Sequence, residues 1–494
     1  MTSTDTFSDA SSIIDTDRNA WRVARADRLA FLVDADAYYR QVETALRQAR
    51  RSIWIVGWDF DPDILLQPQN EDAMTLGELL RSRVEETPDL DVRILVWGEG
   101  PVYSSGRIPV LQDTDWCEHP RIALHYDFEH PLRASHHQKL VVIDEELAFV
   151  GGIDLTSQRW DTPDHLAENP LRRRPNGDPY GPVHDIQVAL SGEGARVIAD
   201  VVRRRWGRVV SGELPAAEAP GEFWPNELEP HITGCDVAVA LAEAGGSDHK
   251  RRTDPIQLTC DAIDAARDNI YIETQYLAST RVVRHLTARL SEEGGPEVVI
   301  LVTRDTRGLL EQWTMGYGRT LAIRRLMRAD TFSRLRIAYA VVPDGKGGEQ
   351  EVLIHAKLVI VDDRFVRVGS ANLNNRSEGF DSECDLAIEA QGEACRQAIT
   401  RLRNTLMAEH LDADPAAVAQ VVERTGSLAA VIDEFNVNAR GLRSYRVNPR
   451  KRAGLLHLGS GIVDPKRRYW PLQRFREVGS FAASRLTGML KAWF

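Results

Sequence analysis

The chain has 494 residues, 43% of them apolar, which suits two ordinary domains or one large two-lobed unit with a real core. A net charge of −12 excludes a surface built wholly as a nucleic-acid footprint, and five scattered cysteines without C-x-x-C or Cys/His spacing indicate neither a disulfide framework nor a zinc site. No apolar run is long enough to span a bilayer, and the polar start MTSTDTFSDASSIIDTDRNA lacks the pattern of a secretory signal, so a cytoplasmic location is expected.

Residues 1–19 read as a disordered tail. From residue 20 to 210 the pattern is that of a first α/β half. ALRQARRSIWIVGWDF, from Ala45, runs from the end of an amphipathic helix into a buried strand, and DVRILVWGE from Asp91 reads as another strand. HHQKLVVIDEELAFVGGID places His137, Lys139 and Asp144, then Gly151, Gly152 and Asp154. Residues 211–230 contain SGELPAAEAPGEFWPNELEP, whose prolines and acidic residues read as a linker.

A second half, 231–439, repeats the order. AIDAARDNIYIETQYL from Ala262 and EVVILVTRD from Glu297 correspond to the first two segments, and HAKLVIVDDRFVRVGSAN places His355, Lys357 and Asp362, then Gly369, Ser370 and Asn372. Apolar runs at Leu140 to Ile143, Val298 to Val302 and Leu358 to Val361 read as strands buried on both faces, joined mainly by helical crossovers. The expected fold class is therefore α/β, two similar halves, each a mixed β-sheet flanked by helices.

The two H-x-K-x4-D motifs carry the chemistry. A histidine and a lysine two residues apart on a strand face the same side and can converge on one phosphate, whereas the aspartate lies further along, at the strand end. The chain has only seven lysines, and two of them occupy these positions with the same glycine spacing downstream, so coincidence is negligible. One neutral imidazole can attack phosphorus while a second, protonated imidazole supplies the leaving alkoxide with its proton. Which histidine attacks is left open by two near-identical motifs. Lys139 and Lys357 would hold non-bridging oxygens, Ser370 and Asn372 would donate further hydrogen bonds, and the glycines, Gly152 among them, would let the backbone approach the phosphate. Asp144 and Asp362 belong to the candidate catalytic motif by position but read more as buried structural anchors.

These residues resemble the phospholipase D superfamily, in which two such motifs form one site. The resemblance runs from about Ala20 to Met407. SHHQKLVVID, FVGGIDLTSQRWDTPDH, GPVHDIQVALSG, IYIETQYL and GSANLNNRSEGFDSECDLAI are similar to the eukaryotic-type enzymes, and GWDFDP at Gly57 to Pro62 to their bacterial relatives. The resemblance implies a phosphohistidine on His137, with His355 as acid and then base, and no cofactor or metal. Aligning VHDIQVAL with SECDLAI pairs Asp185 with Glu383, positions where relatives carry acids that bond the catalytic histidines across the two halves. The first motif continues GGID rather than G-S-x-N, an asymmetry the eukaryotic-type lipases share, and Asp154 there reads as structural. An insertion from Gln158 to Pro182 separates His137 from Asp185 and is expected to shape access.

From Arg440 to Phe494 there are thirteen Lys/Arg and two Asp/Glu, and Phe475, Val478, Ala482, Leu486, Met489 and Trp493 share one face if the end is helical. This basic tail, 440–494, is expected either to meet anionic lipid or to pack on an acidic protein surface. The expected activity is that of a phospholipase D acting on a phospholipid at a membrane surface, with water or an alcohol as acceptor. The alternatives are a cardiolipin synthase-like phosphatidyltransferase and a phosphodiesterase acting on nucleic acid, which the acidic body disfavours.

Overall fold

Alternation along one short strand shows how the layers are built: Ile53 and Ile55 enter one apolar cluster, whereas Trp54 and Val56, alternating with them, enter another on the opposite face. The computed structural model describes residues 12–99, 115–131, 134–212, 214, 221–245, 250–304 and 309–447. The amphipathic face at Phe475 to Trp493 lies outside the described residues.

The first half contains β1 (Arg22–Val33), α1 (Asp34–Gln48), β2 (Ser52–Gly57), α2 (Leu76–Glu86), β3 (Asp91–Trp97), β4 (Ile122–Asp127), β5 (Leu140–Ile143), β6 (Leu147–Gly151), β7 (Val183–His184), β8 (Ile186–Ser191) and α3 (Glu193–Val209). The second contains β9 (Ile232–Glu243), β10 (Arg252–Thr253), α4 (Asp254–Ala265), β11 (Asn269–Thr274), α5 (Thr280–Ser291), β12 (Glu297–Val302), α6 (Leu309–Ala329), β13 (Leu335–Pro343), β14 (Glu349–Glu351), β15 (Leu353–Ile354), β16 (Lys357–Val361), β17 (Phe365–Gly369), β18 (Glu383–Glu389), α7 (Glu393–Leu411), α8 (Pro415–Thr425), α9 (Leu428–Phe435) and β19 (Gly441–Ser444).

Hydrogen bonding joins the strands in the order β4-β3-β2-β5-β6-β8-β1-β9-β18-β17-β16-β11-β12-β13. The order reads the same from either end once each strand is replaced by its counterpart, so the halves are related by an approximate two-fold between β1 and β9. Those two strands pair antiparallel, from Arg22 with Val239 to Leu29 with Ile232. Crossovers through α2, α5 and α6 produce the parallel ladders β2-β3 and β11-β12-β13, but the motif strands sit in antiparallel ladders. Burial on both faces does not distinguish the two kinds of pairing here. α1 and α2 cover one face of the first half, α4 to α6 the same face of the second, and an apolar cluster shared by both halves lies under α3 and α7.

Segments outside the two halves of the sequence reading are also packed. Ile13, 2% exposed within the expected disordered tail, donates its N–H to Glu389 Oε2 at 2.9 Å, and Asn19 Nδ2 reaches Asp261 at 2.7 Å. In the linker, Trp224 and Leu228 join the first-half core, with Trp224 Nε1 donating to Leu228 O. The first residues of the basic tail form β19, which pairs with β13.

The two motif hairpins turn alike. Asp144 and Glu145 (φ 52° and 58°), and Asp362 and Asp363 (φ 52° and 51°), occupy the centres of type I′ turns closed by Glu146 N–H to Ile143 O and Arg364 N–H to Val361 O, each 3.0 Å. Each first aspartate then accepts three backbone N–H groups: Asp144 from Arg50, Arg51 and Ser52 at 3.0, 2.7 and 2.8 Å, and Asp362 from Arg267, Asp268 and Asn269 at 2.8, 2.8 and 3.0 Å. The motif aspartates thus tie the hairpin to the helix-to-strand junction beside it. Replacing Asp144 with Ala leaves three amides without their acceptor, and a loss of about 2–4 kcal/mol, read from the urea midpoint, is expected. An unchanged midpoint would contradict the anchoring role.

Candidate active site

The segment entering each motif pairs briefly with a segment of the opposite half, over two residues at the second motif and through a single bridge at the first. Ile354 of β15 lies parallel to His184 of β7, and His136 makes the equivalent bridge with Ser382. Backbone bonds lock both contacts: His137 N–H donates to Ser382 O at 2.9 Å and His355 N–H to His184 O at 2.8 Å. One residue further on, each half carries a carboxylate, so the pairing crosses over. His137 Nδ1 lies 2.9 Å from Glu383 Oε2, and His355 Nδ1 lies 2.5 Å from Asp185 Oδ2.

His137 Nδ1 is also 2.9 Å from Ser370 O, a carbonyl that can only accept. The proton therefore sits on Nδ1, leaving Nε2 with a free lone pair. Burial, then Lys139 and Lys357, push His137 well below the ordinary histidine value, which keeps this ring neutral. Its partner Glu383 is pushed up to about 8, by burial and then by Asp381. Asp185 differs: burial opposes its ionisation, but Lys357 and His355 hold it at about 2. His355 is lowered by burial and by Lys357, whose Nζ is 3.0 Å from Nδ1, while Asp185 pulls the other way. Lys357 itself is brought down by burial to about 8. Both histidines are thus held neutral, but His137 faces a carboxyl group that keeps its proton near neutrality and His355 faces a carboxylate.

Lys139 and Lys357 do not share one role. Lys139 Nζ pairs with Asp154 Oδ2 at 2.9 Å, and Asp154 also accepts Trp58 N–H at 2.9 Å; the residue equivalent to Asp154 in the second half is the uncharged Asn372. Asp154 is therefore a charge partner of the motif lysine. Two residues expected on the phosphate lie against the two carboxyl groups. Ser370 Oγ donates to Glu383 Oε2 at 2.7 Å and accepts Cys384 N–H, so its hydroxyl is committed to that carboxyl. Gly152 is its counterpart, and a Cβ there would lie 2.1 Å from Asp185 Oδ1, so glycine is what lets the carboxylate sit where it does. The GGID and GSAN asymmetry therefore tracks the two carboxyl groups. Asn372 is buried with an Oδ1 that has no hydrogen-bond partner.

Several contributors carry no motif. Ser377 Oγ donates to Glu383 Oε1 at 2.7 Å, and Asp381, held by Arg376 at 2.8 Å, accepts Ser135 N–H. His136 Nε2 is 3.1 Å from Asp127, which Arg205 Nε also reaches at 3.0 Å; burial, then Arg205, lower His136 to about 4. Trp58 and Trp97 pack with ring centres 5.6 Å apart, and Trp97 Nε1 donates to His130 Nε2. The insertion is organised by Arg172, fully buried, which bonds Asp161 Oδ1 at 2.8 Å and the carbonyls of Leu166, Ala167 and Tyr180. A further buried cluster behind Asp185 brings His165, His184 and His410 to Asp34, Glu273 and Glu409. In sequence, only the V-H-D order at His184 hinted at it.

Residues 123–220 match the family model described as phospholipase D, and residues 259–406 the one described as cardiolipin synthase, PLD-like domain; each span holds one motif and one carboxylate of the site. The chain belongs to the phospholipase D superfamily. Similar proteins include phospholipase D A of Dictyostelium discoideum, 25% identical over 73% of this chain and 32% of its own length, and phospholipase D alpha 4 of Arabidopsis thaliana, 24% identical over 78% and 64%. This phospholipase D superfamily chain spans about a third of the length of the first of these relatives. Its fold is that of the Haemophilus influenzae phosphatidylserine synthase structure, with a TM-score of 0.53 at 16% identity, covering 84% of this chain and 96% of the other.

Gly152→Ala must displace Asp185 from His355. A fall in kcat of about 10²-fold with an unchanged circular dichroism spectrum is expected, since misplacing an orienting group by about 1 Å costs that much; unchanged kcat would show that Asp185 does not position His355.

Proposed function

We propose that the protein is a phospholipase D that cleaves the distal phosphodiester of a glycerophospholipid to phosphatidate, or passes the phosphatidyl group to an alcohol, through a phosphohistidine. The observation that carries this reading is the crossed pair of histidine–carboxyl contacts with unequal protonation. His137 Nε2, neutral and lone-paired, attacks phosphorus; the bond from phosphorus to the head-group oxygen breaks, and His355 gives that oxygen its proton. The phosphate's negative charge offsets Lys357 and so lets His355 hold the proton that its burial alone disfavours, with ionised Asp185 stabilising the imidazolium. In the second step His355 takes a proton from water or an alcohol, the new oxygen attacks phosphorus, and the bond to His137 breaks. Lys139, Lys357 and Asn372 face the charge that builds on the non-bridging oxygens.

The relatives named phospholipase D over most of this chain support a lipid substrate. So do large apolar side chains in segments flanking the site: Phe128, after β4, and Leu166, in the insertion, are 62% and 52% exposed. Contact with a lipid surface would be peripheral, with the basic tail as its anionic-lipid contact; among the described residues no helix is long and apolar enough to cross a membrane. A bacterial setting with a GC-rich genome fits the arginine-rich, lysine-poor composition.

Mixed phospholipid vesicles with a primary alcohol test this. The native protein should release head group and form phosphatidyl-alcohol, whereas His137→Asn should lose about 10³-fold or more and His355→Asn about 10²–10⁴-fold. No lipid turnover by the native protein would sink the lipid reading. The kcat/KM profile should fall as pH rises through about 8, where Lys357, charged below that pH, loses its proton; a plateau to pH 10 would remove Lys357 from the phosphate.

A further inference from the structure

The cluster behind Asp185 is not used by the phosphodiester chemistry. Its centre is formed by four side chains: Asp34, the first residue of α1; His165, in the insertion; His184, on β7; and Glu409, on α7. His184 Nδ1 lies 3.0 Å from Asp34 Oδ1 and 2.9 Å from Glu409 Oε1, and His165 Nε2 lies 3.0 Å from Glu409 Oε1 and 3.5 Å from Asp34 Oδ2. Four ligands at about 2.0–2.1 Å on a tetrahedron would lie roughly 3.3 Å from one another, so the observed spacing brackets that of a metal site.

The outer face of each ring decides what the inner nitrogens can be. His165 Nδ1 is 2.9 Å from Asp161 Oδ2, and His184 Nε2 is 2.9 Å from Glu273 Oε2. Carboxylate oxygens only accept, so both outer nitrogens carry protons, the arrangement in which a metal-bound histidine gives its other N–H to a carboxylate. The inner nitrogens then direct lone pairs at two carboxylates unless something positive lies between. Two added protons would do this, and the surrounding carboxylates raise both rings against the opposing effect of burial, but the protons would place two imidazolium rings 5.7 Å apart in a site whose side chains are 0–6% exposed. One divalent cation supplies the same charge at a single point. The unmet valences favour the cation, because buried His184 Nδ1 and Asp34 Oδ2 lack a hydrogen-bond partner despite these short distances.

We propose that His165 Nε2, His184 Nδ1, Asp34 and Glu409 form a structural site for a zinc-class divalent transition metal. Imidazole with carboxylate in a closed set suits such an ion better than magnesium or calcium, which take oxygen ligands. The ion ties the insertion and α7 to the junction of β7 and β8 that carries Asp185, whose carbonyl already accepts Asp34 N–H at 2.9 Å. The assignment is independent of the lipid reading.

The full-length protein, loaded with Zn2+ and dialysed, would be measured by inductively coupled plasma mass spectrometry. The expected result is about one zinc per chain for the native protein and for His355→Asn, and a tenfold or greater loss in His165→Gln. If His165→Gln does not fold, Glu409→Gln takes its place. Anomalous diffraction at the zinc edge should place the ion between His165 and His184. Less than about one ion in ten native chains, undiminished binding in the cluster variant, loss in His355→Asn, or a peak at the motif histidines would each overturn the proposal.

Discussion

Each motif histidine obtains its orienting carboxyl group from the opposite half, and most of the architecture follows from that crossed dependence. Neither half alone holds a histidine with its partner acid. Glu383 and Asp185 reach across only because β7 pairs with β15 and His136 bridges Ser382, and those contacts require the β1-β9 ladder that brings the halves together about an approximate two-fold. The antiparallel hairpins, held at their far ends by Asp144 and Asp362, set where each histidine and lysine emerge. A two-fold built from duplicated units thus produces one site.

The departures from symmetry divide the labour. Where the first half has Gly152 packed on Asp185, the second has Ser370 bonded to Glu383; where the first has Asp154 neutralising Lys139, the second has Asn372. The result is one histidine beside a carboxyl group pushed up to about 8 and another beside a carboxylate at about 2. Two similar motifs thus acquire differently protonated surroundings from the residues around them, because burial and neighbouring charge move each carboxyl group in opposite directions.

The insertion belongs to the support of the site. Arg172 and Asp161 fold it upon itself, and His165 joins it to Asp34 and Glu409 directly behind Asp185. A loop long in sequence is therefore fastened at the point where the second carboxylate is positioned.

The sequence by itself determined the α/β class, the duplication, and the pairing of Asp185 with Glu383 as counterparts, since hydrophobic periodicity and repeated spacing are local properties that a chain carries without folding. It also marked the motif aspartates as anchors through their place at strand ends. That each half serves the other's histidine was implied only by the family resemblance; how the lysines are neutralised and where the Ser370 hydroxyl points were left open, and the buried cluster at His165 went unseen. Those are contacts between residues far apart in the chain: His137 with Glu383, His355 with Asp185, and Glu409 with His165 are each more than 150 positions distant. Protonation there depends on burial and on charges brought in by other strands, quantities that exist only once the sheet has closed the two halves on each other.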